Sequence, residues 1–357
     1  MTSPTTGHRM NDMSAGGGPV WIGPAEPELA SVCAALQTGM EAVGRRPRGG
    51  DRWVVKLNLT YPRYLPGVVN SPVFVEALCQ WGRDRGIKLI FVEGDGGNGS
   101  YSAHDTFDGN GVVETARRYG MSCVSLSETP WDWRTTMVAG RKVRLPYSPF
   151  FGRREYDIFV TAPVLKNHVF TTVSLGMKNL WGCIPDAYRM YYHHVLDHGI
   201  VALTKELRPD LSVFDGLVAL RGRGPMDGQP IVMNALMLGE TGAAEAAALE
   251  VMGVALDKAR HLLIAREEGI LPLASAIEWK SDPRPFHRSD FVVDRSFLNY
   301  VSIWIGKMPA LQRLIYHSNL SPAIYAVVNP WRRDSAQAKL VMAKQRGVYD
   351  RIPPSGR

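Results

Sequence analysis

The sequence predicts an α/β protein: a mixed, largely parallel sheet with flanking helices, followed by a C-terminal helical appendage. Three observations predict it. Short β-branched apolar runs alternate with stretches of helical period. Two of those helical stretches stop on a glycine, Gly86 and Gly120, directly before the next apolar run. The run IKLIFVEGD then leaves through a Gly-rich loop, so strand, helix and strand form a right-handed parallel unit.

The N-terminal residues 1–22 are polar and rich in Gly and Ser, without the apolar centre of a secretory signal, and are expected to be a disordered leader. Residues 23–270 are expected to form the α/β domain and 271–357 a helical extension. Ala25 to Val43 places Leu29, Val32, Leu36, Met40 and Val43 on one helical stripe. Trp53–Leu59 is a buried strand in which Lys56 and Asn58, two apart, face one side. Ser71 and Pro72 open the next helix as N-cap and first residue. Asp95 ends the strand after it. A helix follows at Gly111–Tyr119, then a strand at MSCVSLS and a hairpin about Gly140.

The segment Asp157–Asp186 carries an unusual load. A strand at Ile158–Val160 ends in Thr161, Ala162 and Pro163, and a loop with Lys166 and His168 follows, then Lys178, Asn179 and Gly182. Loops at strand ends are where α/β proteins place chemistry. Further on, His194 and His198 stand at i, i+4 and could ligate a divalent metal from one helix face, while Tyr191 and its neighbours suit a substrate lid. Asp215 lies in the strand LSVFDGL. RGRGPMDGQP reads as a loop. Glu240 ends the strand after it, and Glu245 starts an Ala-rich helix; both carboxylates are expected at one cleft, with macrodipole compensation as the competing reading. Phe297–Ile315 and Ser321–Val328 are apolar and aromatic, which suits packed helices, an interfacial membrane contact or a homodimer contact.

Composition narrows the function classes. The 357 residues are 45% hydrophobic and 21% charged, with a net charge of +7 and a pI near 9.2. The basic runs are short, and neither zinc-finger spacing nor an RNA-binding aromatic signature accompanies them, so no nucleic acid is expected as partner. Cys33, Cys79, Cys123 and Cys183 form no CxxC pair, so no iron–sulfur cluster is expected. Cys183 alone, inside the central segment, is a candidate reactive thiol. Unpatterned cysteine and the lack of any spanning apolar segment lead to an expected cytoplasmic location.

VVKLNL, VEGDGG, DIFVTAPVLKNHVFTTVSLGMKNLWGCIP and FDGLVALRGRGPMDGQP together resemble the DUF362 family, over roughly Val54 to Gly253. The resemblance implies a site at Lys56, Asn58, Asp95, Lys166, His168, Lys178, Asn179, Gly182 and Asp215, with Gly224, Pro225 and Gly228 in the loop. Family members usually carry two aspartates five apart; here Glu240 and Glu245 keep the spacing with a longer reach. The ferredoxin-like cluster module of many members has no counterpart in this sequence.

Lysines beside carboxylates suit an anionic substrate bearing a carboxylate or phosphate. Crowded lysines lose protons and become bases or nucleophiles, and a histidine passes protons near neutral pH. The leading expectation is a non-redox enzyme of lyase or isomerase type in specialised metabolism. Lys166, His168, Lys178 and Asp95 would be catalytic, and Lys56, Asn58, Asn179, Asp215, Glu240 and Tyr191 would hold the substrate. The alternatives are an enzyme dependent on a metal or metallo-cofactor, and an accessory protein docking through the apolar C-terminal segment. A structural ion-pair network is the non-functional reading of the same residues.

Overall fold

The computed structural model describes residues 17–97, 101–152 and 155–316, with side chains to Gln312. Twelve strands are present among them: β1 (Pro19–Pro24), β2 (Arg52–Lys56), β3 (Lys88–Glu93), β4 (Ser122–Ser125), β5 (Asp132–Val138), β6 (Arg141–Tyr147), β7 (Ile158–Thr161), β8 (Val164–His168), β9 (Thr172–Ser174), β10 (Leu211–Arg223), β11 (Asp227–Gly239) and β12 (Glu278–Trp279). The helices are α1 (Leu29–Ala42), α2 (Pro72–Asp84), α3 (Ala103–Gly109), α4 (Val112–Tyr119), α5 (Pro149–Gly152), α6 (Gly176–Asn179), α7 (Leu196–Leu207), α8 (Thr241–Val251), α9 (Arg260–Glu267), α10 (Phe297–Gly306) and α11 (Pro309–Tyr316).

The main sheet runs β12-β1-β11-β10-β7-β2-β3-β4, and β8 pairs with both β10 and β9. Along that path every pairing is parallel except those of β11. The expected mixed, largely parallel α/β sheet is therefore present, with α10 and α11 as the helical appendage. Successive residues of the central strands face opposite sides. Val54, Phe159 and Val92 pack with α7, α8 and α9 on one face. Val55, Val160 and Phe91 pack with α1, α2 and α4 on the other. Buried on both faces, these strands read as continuous apolar runs.

Several boundaries differ from expectation. Pro19–Ile22 belongs to β1, which pairs antiparallel with β11 (Val20 with Gly239), so the sheet begins inside the expected leader. Glu278 and Trp279 pair with β1, so the α/β domain runs past residue 270. The expected loop RGRGPMDGQP is mostly ladder: Arg223 pairs with Asp227 and Leu220 with Pro230, making β10 and β11 one long hairpin. Two thirteen-residue strands, paired on both sides of an irregularity between Gly216 and Val218, leave only a tight turn for Gly224, Pro225 and Met226. Ser71 does cap α2 in position, but its side chain turns to Asp215 instead of the helix. The predicted Ser321–Val328 segment lies outside the described residues. No helix among the described residues is long and apolar enough to cross a membrane.

Candidate functional site

Lys56 and Glu93 end the neighbouring parallel strands β2 and β3, and their side chains meet in the interior at 2.5 Å. Each is almost wholly buried. A buried pair is tolerable only when its remaining polar atoms are satisfied. Here Lys56 Nζ also donates to the Leu57 carbonyl at 2.6 Å, and Glu93 Oε2 accepts from Leu59 N at 3.0 Å. Gly182 lets the next segment close over them. A Cβ at that position would stand 2.9 Å from Lys56 Nζ and 3.1 Å from Glu93 Oε1.

Lys166 and His168 are not in a loop. The chain turns at Ala162 and Pro163 and continues as β8, which overhangs the end of β7 and pairs with the outer part of β10. The extra length of β10 makes this second strand available. Lys166 is 1% exposed and donates to Asn58 Oδ1 at 2.6 Å and to the Val68 carbonyl at 2.7 Å. Burial, then the charges of Lys178 and Lys56, bring its ammonium down to about 7, against the opposing pull of Glu93. His168 accepts from Phe170 N at its Nδ1, 3.1 Å away, which leaves the proton of a neutral ring on Nε2. Burial holds His168 well below its ordinary pKa, and Lys178 adds to that.

Asn179 fastens the short α6 to the sheet, donating to the Lys56 carbonyl at 3.0 Å and to Thr161 Oγ1 at 3.1 Å. Lys178, one residue earlier, is half-buried and makes no hydrogen bond or ion pair among the described residues. Burial first, then Arg189 and Lys56, bring its pKa to about 7 as well. Arg189, His193 and His261, which the sequence reading left out of the site, lie around it. His193 and His261 are each pushed down to about 3, by burial and then by Lys178. His193 Nδ1, both ring nitrogens of His261 and Arg189 Nη1 are buried without a hydrogen-bond partner. Glu245 is fully buried under α6, where a Cβ on Gly176 would come within 2.7 Å of its Oε1. Burial raises it to about 8, only partly offset by the amides of Met177 and Gly176.

The remaining predicted residues divide. Asp95 sits half-buried at the rim, accepting from Ala103 N at 2.8 Å, and its charge acts on Arg189. Asp215 is buried and occupied, taking Ser71 N at 2.6 Å and Leu217 N at 3.2 Å; burial raises it to about 6. It ties α2 to β10. Glu240 is a correction. It is the exposed N-cap of α8, 3.7 Å from Arg45, whereas Glu245 is fully buried under α6, so the two do not share a cleft. The first turns of α8 explain this: Glu240 stands at the cap before the helix, and Glu245 lies on the face that the core covers. His194 and His198 do not share a regular helix, because His194 lies in a 3-10 stretch (Arg189–Val195) before α7. His194 Nδ1 faces the Tyr191 carbonyl at 2.9 Å, and the Tyr191 ring packs on His194 and Tyr192. Among the described residues no group of three or more His, Cys, Asp or Glu is gathered to hold a metal ion. Cys183 is buried, and burial pushes its thiol up to about 12, against the reactivity expected of it.

A cavity of about 230 Å³ opens away from this cluster, against Val54, Ile90, Pro149, Phe150 and Tyr156. Its walls are mostly apolar, with Arg52, Thr129 and Glu155 among them, and carry none of the lysines or histidines above.

Residues 54–250 match the family model described as a domain of unknown function, DUF362. The chain is also 27% identical over 214 residues to a thylakoid-associated protein of Synechocystis sp., covering 57% of this chain and 64% of that relative. The match thus spans just under two thirds of the relative's length. No solved structure matches the chain.

Proposed function

The chain belongs to the DUF362 family, and on that premise we propose that it is an enzyme for a small anionic substrate, one bearing a carboxylate or phosphate. The observation that carries the reading is Lys178: a half-buried cation without a partner among the described residues, beside unpartnered nitrogens of Arg189, His193 and His261. Its ammonium form would hold the anion, with the free Arg189 Nη1 beside it. Its amine form, populated near neutral pH, would take a proton from the carbon next to that anion. His168, protonated on Nε2, would donate to the substrate oxygen on which charge develops. Lys166 and Asn58 position β8, and Lys56 with Glu93 sets the floor. An elimination, isomerisation or cyclisation that begins with such a proton transfer would make the protein a non-redox lyase or isomerase.

Calorimetric titration with inorganic phosphate and with citrate tests the reading. Binding to the wild-type protein is expected at pH 6.5, with a loss of roughly tenfold or more in Lys178→Ala. Unchanged binding in that variant, or none in the wild type, would remove the basis of the proposal.

A further inference from the structure

α10 packs with its C-terminal end against Phe170 and His193 and turns an apolar face to solvent. Phe297, Leu298, Tyr300 and Trp304 are 79, 57, 59 and 60% exposed, and Met308 just beyond the helix is 39% exposed. Phe297, Tyr300, Trp304 and Met308 recur at i, i+3, i+7 and i+11 and so form one stripe. The helix FLNYVSIWIG carries no charge at all. It is nonetheless well anchored. A capping box joins Ser296 and Asn299 at its start. Arg295 donates to the Val169 carbonyl at 2.7 Å and to Thr172 Oγ1 at 3.3 Å. At its end Gly306 packs on the rings beside the cluster; a Cβ there would lie 3.5 Å from Phe170 and 3.6 Å from His193. The inner side is fixed, and the outer side is a contiguous exposed aromatic surface of the kind that marks an interaction site.

Charge decides between occupants. Arg260 and Lys307 stand at the C-terminal end of α10, both acting on the mostly buried Asp197. Lys258 stands at the other end, where its carbonyl accepts from the same Thr172 hydroxyl that Arg295 reaches. The exposed acids nearby, Asp257 and Asp294, are paired with Lys258 and Arg223. Directly after α11 the sequence 317–357 carries seven Lys or Arg and two Asp, which accounts for five of the seven net positive charges of the chain. Trp and Tyr settle at the headgroup level of a bilayer, and flanking Lys and Arg gain from anionic headgroups. A second copy of the chain would bring like charge against like charge. We propose that the outer face of α10 is a peripheral docking surface for an anionic lipid bilayer. This assignment stands apart from the chemistry at Lys178, and the end of the docking helix adjoins His193 of that cluster.

Co-sedimentation with vesicles tests it. The full chain is expected to sediment with vesicles of equal parts phosphatidylcholine and phosphatidylglycerol, and to be released by added salt. It should stay in solution with phosphatidylcholine alone. The double variant Phe297→Ser/Trp304→Ser is expected to bind roughly tenfold more weakly with an unchanged circular dichroism spectrum. Lys307→Glu with Arg260→Glu provides a second variant that leaves the apolar stripe intact, and it should lose binding in parallel. Wild-type protein that ignores the anionic vesicles overturns the proposal, as does equal binding to both vesicle types or undiminished binding by both variants. A vesicle-free wild-type dimer that the serine variant dissociates would assign the face to a second copy instead.

Discussion

Burial and neighbouring cations bring Lys166 and Lys178 to about 7, far below a free lysine, so small pH changes alter what the cluster can hold. For ligand binding the sign is simple. Each loses its proton as pH rises through about 7, so affinity for an anion is expected to fall by roughly tenfold per unit above that point, and calorimetry across pH 6–9 checks the slope. Stability runs the other way. A lysine whose folded pKa is depressed binds more protons when unfolded, from about 7 up to its ordinary value, so its penalty fades as pH rises through that window. Glu245 has the opposite sense. Its folded pKa is raised from 4.5 to about 8, so stability is lost as pH rises between those values. Glu245→Gln is therefore expected to raise stability at pH 7.5 by about 1–3 kcal/mol and to change little at pH 4.5, as read from urea melts at the two pH values. A variant equally stabilised at both would show that packing, and not charge, governs this position.

At this same scale, what the sequence disclosed was uneven. Lys56, Asn58, Lys166, His168, Lys178 and Asn179 stand in pairs at strand or helix ends, and that pairing made them visible. Glu93 was not read, although it closes the apolar run KLIFVE one residue past the level of Lys56 in the adjacent parallel strand. A carboxylate ending one buried strand beside a lysine ending its neighbour is the signal that would have found it. His193, His261 and Arg189 offered none. Their importance comes from burial around Lys178, which is a tertiary property.

Among the elements, the strand overhang of β8 and the closure of α6 over β2 create the cluster, and each depends on a local steric condition. For α6 the condition is Gly182. Its missing Cβ leaves room for the buried Lys56 and Glu93 side chains, whose own contacts restrain them from moving aside. Gly182→Ala is expected to destabilise the protein by about 1–3 kcal/mol, through overpacking and a disturbed ion pair. The same substitution should weaken phosphate binding, because the displaced segment carries Lys178 on its preceding turn. Thermal melts and titration of one preparation check both; a neutral change in each would mean that the segment shifts freely. Element type was largely legible because central strands here are short, β-branched and bounded by Gly or Pro. The β8 strand and the β10–β11 extension were not, since polar and glycine-rich residues inside a ladder look like loops until their partner strand is known.

On the scale of the molecule, the site and its scaffold are distant in the sheet but not independent. The cluster lies around β2, β3, β7 and β8, whereas β1 and β12 close the far side, beyond β11. β1 is the strand that a sequence reading of the polar N-terminus gave away to a leader, because only Val20, Trp21 and Ile22 interrupt the Gly-, Pro- and Ser-rich composition around it. Those three side chains are 0, 7 and 1% exposed. Val20 and Ile22 join the core cluster that also contains Met177, Leu180 and Trp181 of the site segment, while Trp21 joins the opposite one with Val55 and Phe91. Removing residues through Pro24 would withdraw apolar contacts from both faces at once and leave β11 as an unpaired edge. At roughly 1.5–3 kcal/mol for each of the three buried side chains, the loss is about 5–9 kcal/mol, comparable to the whole stability of a typical domain. The truncated chain is expected to aggregate or to melt without a cooperative transition, losing phosphate binding along with its fold although no residue of the cluster has been touched. Calorimetry and size-exclusion chromatography of the truncated chain check this, and a cooperative, monomeric, phosphate-binding product would show that β1 is dispensable and that the sheet closes without it.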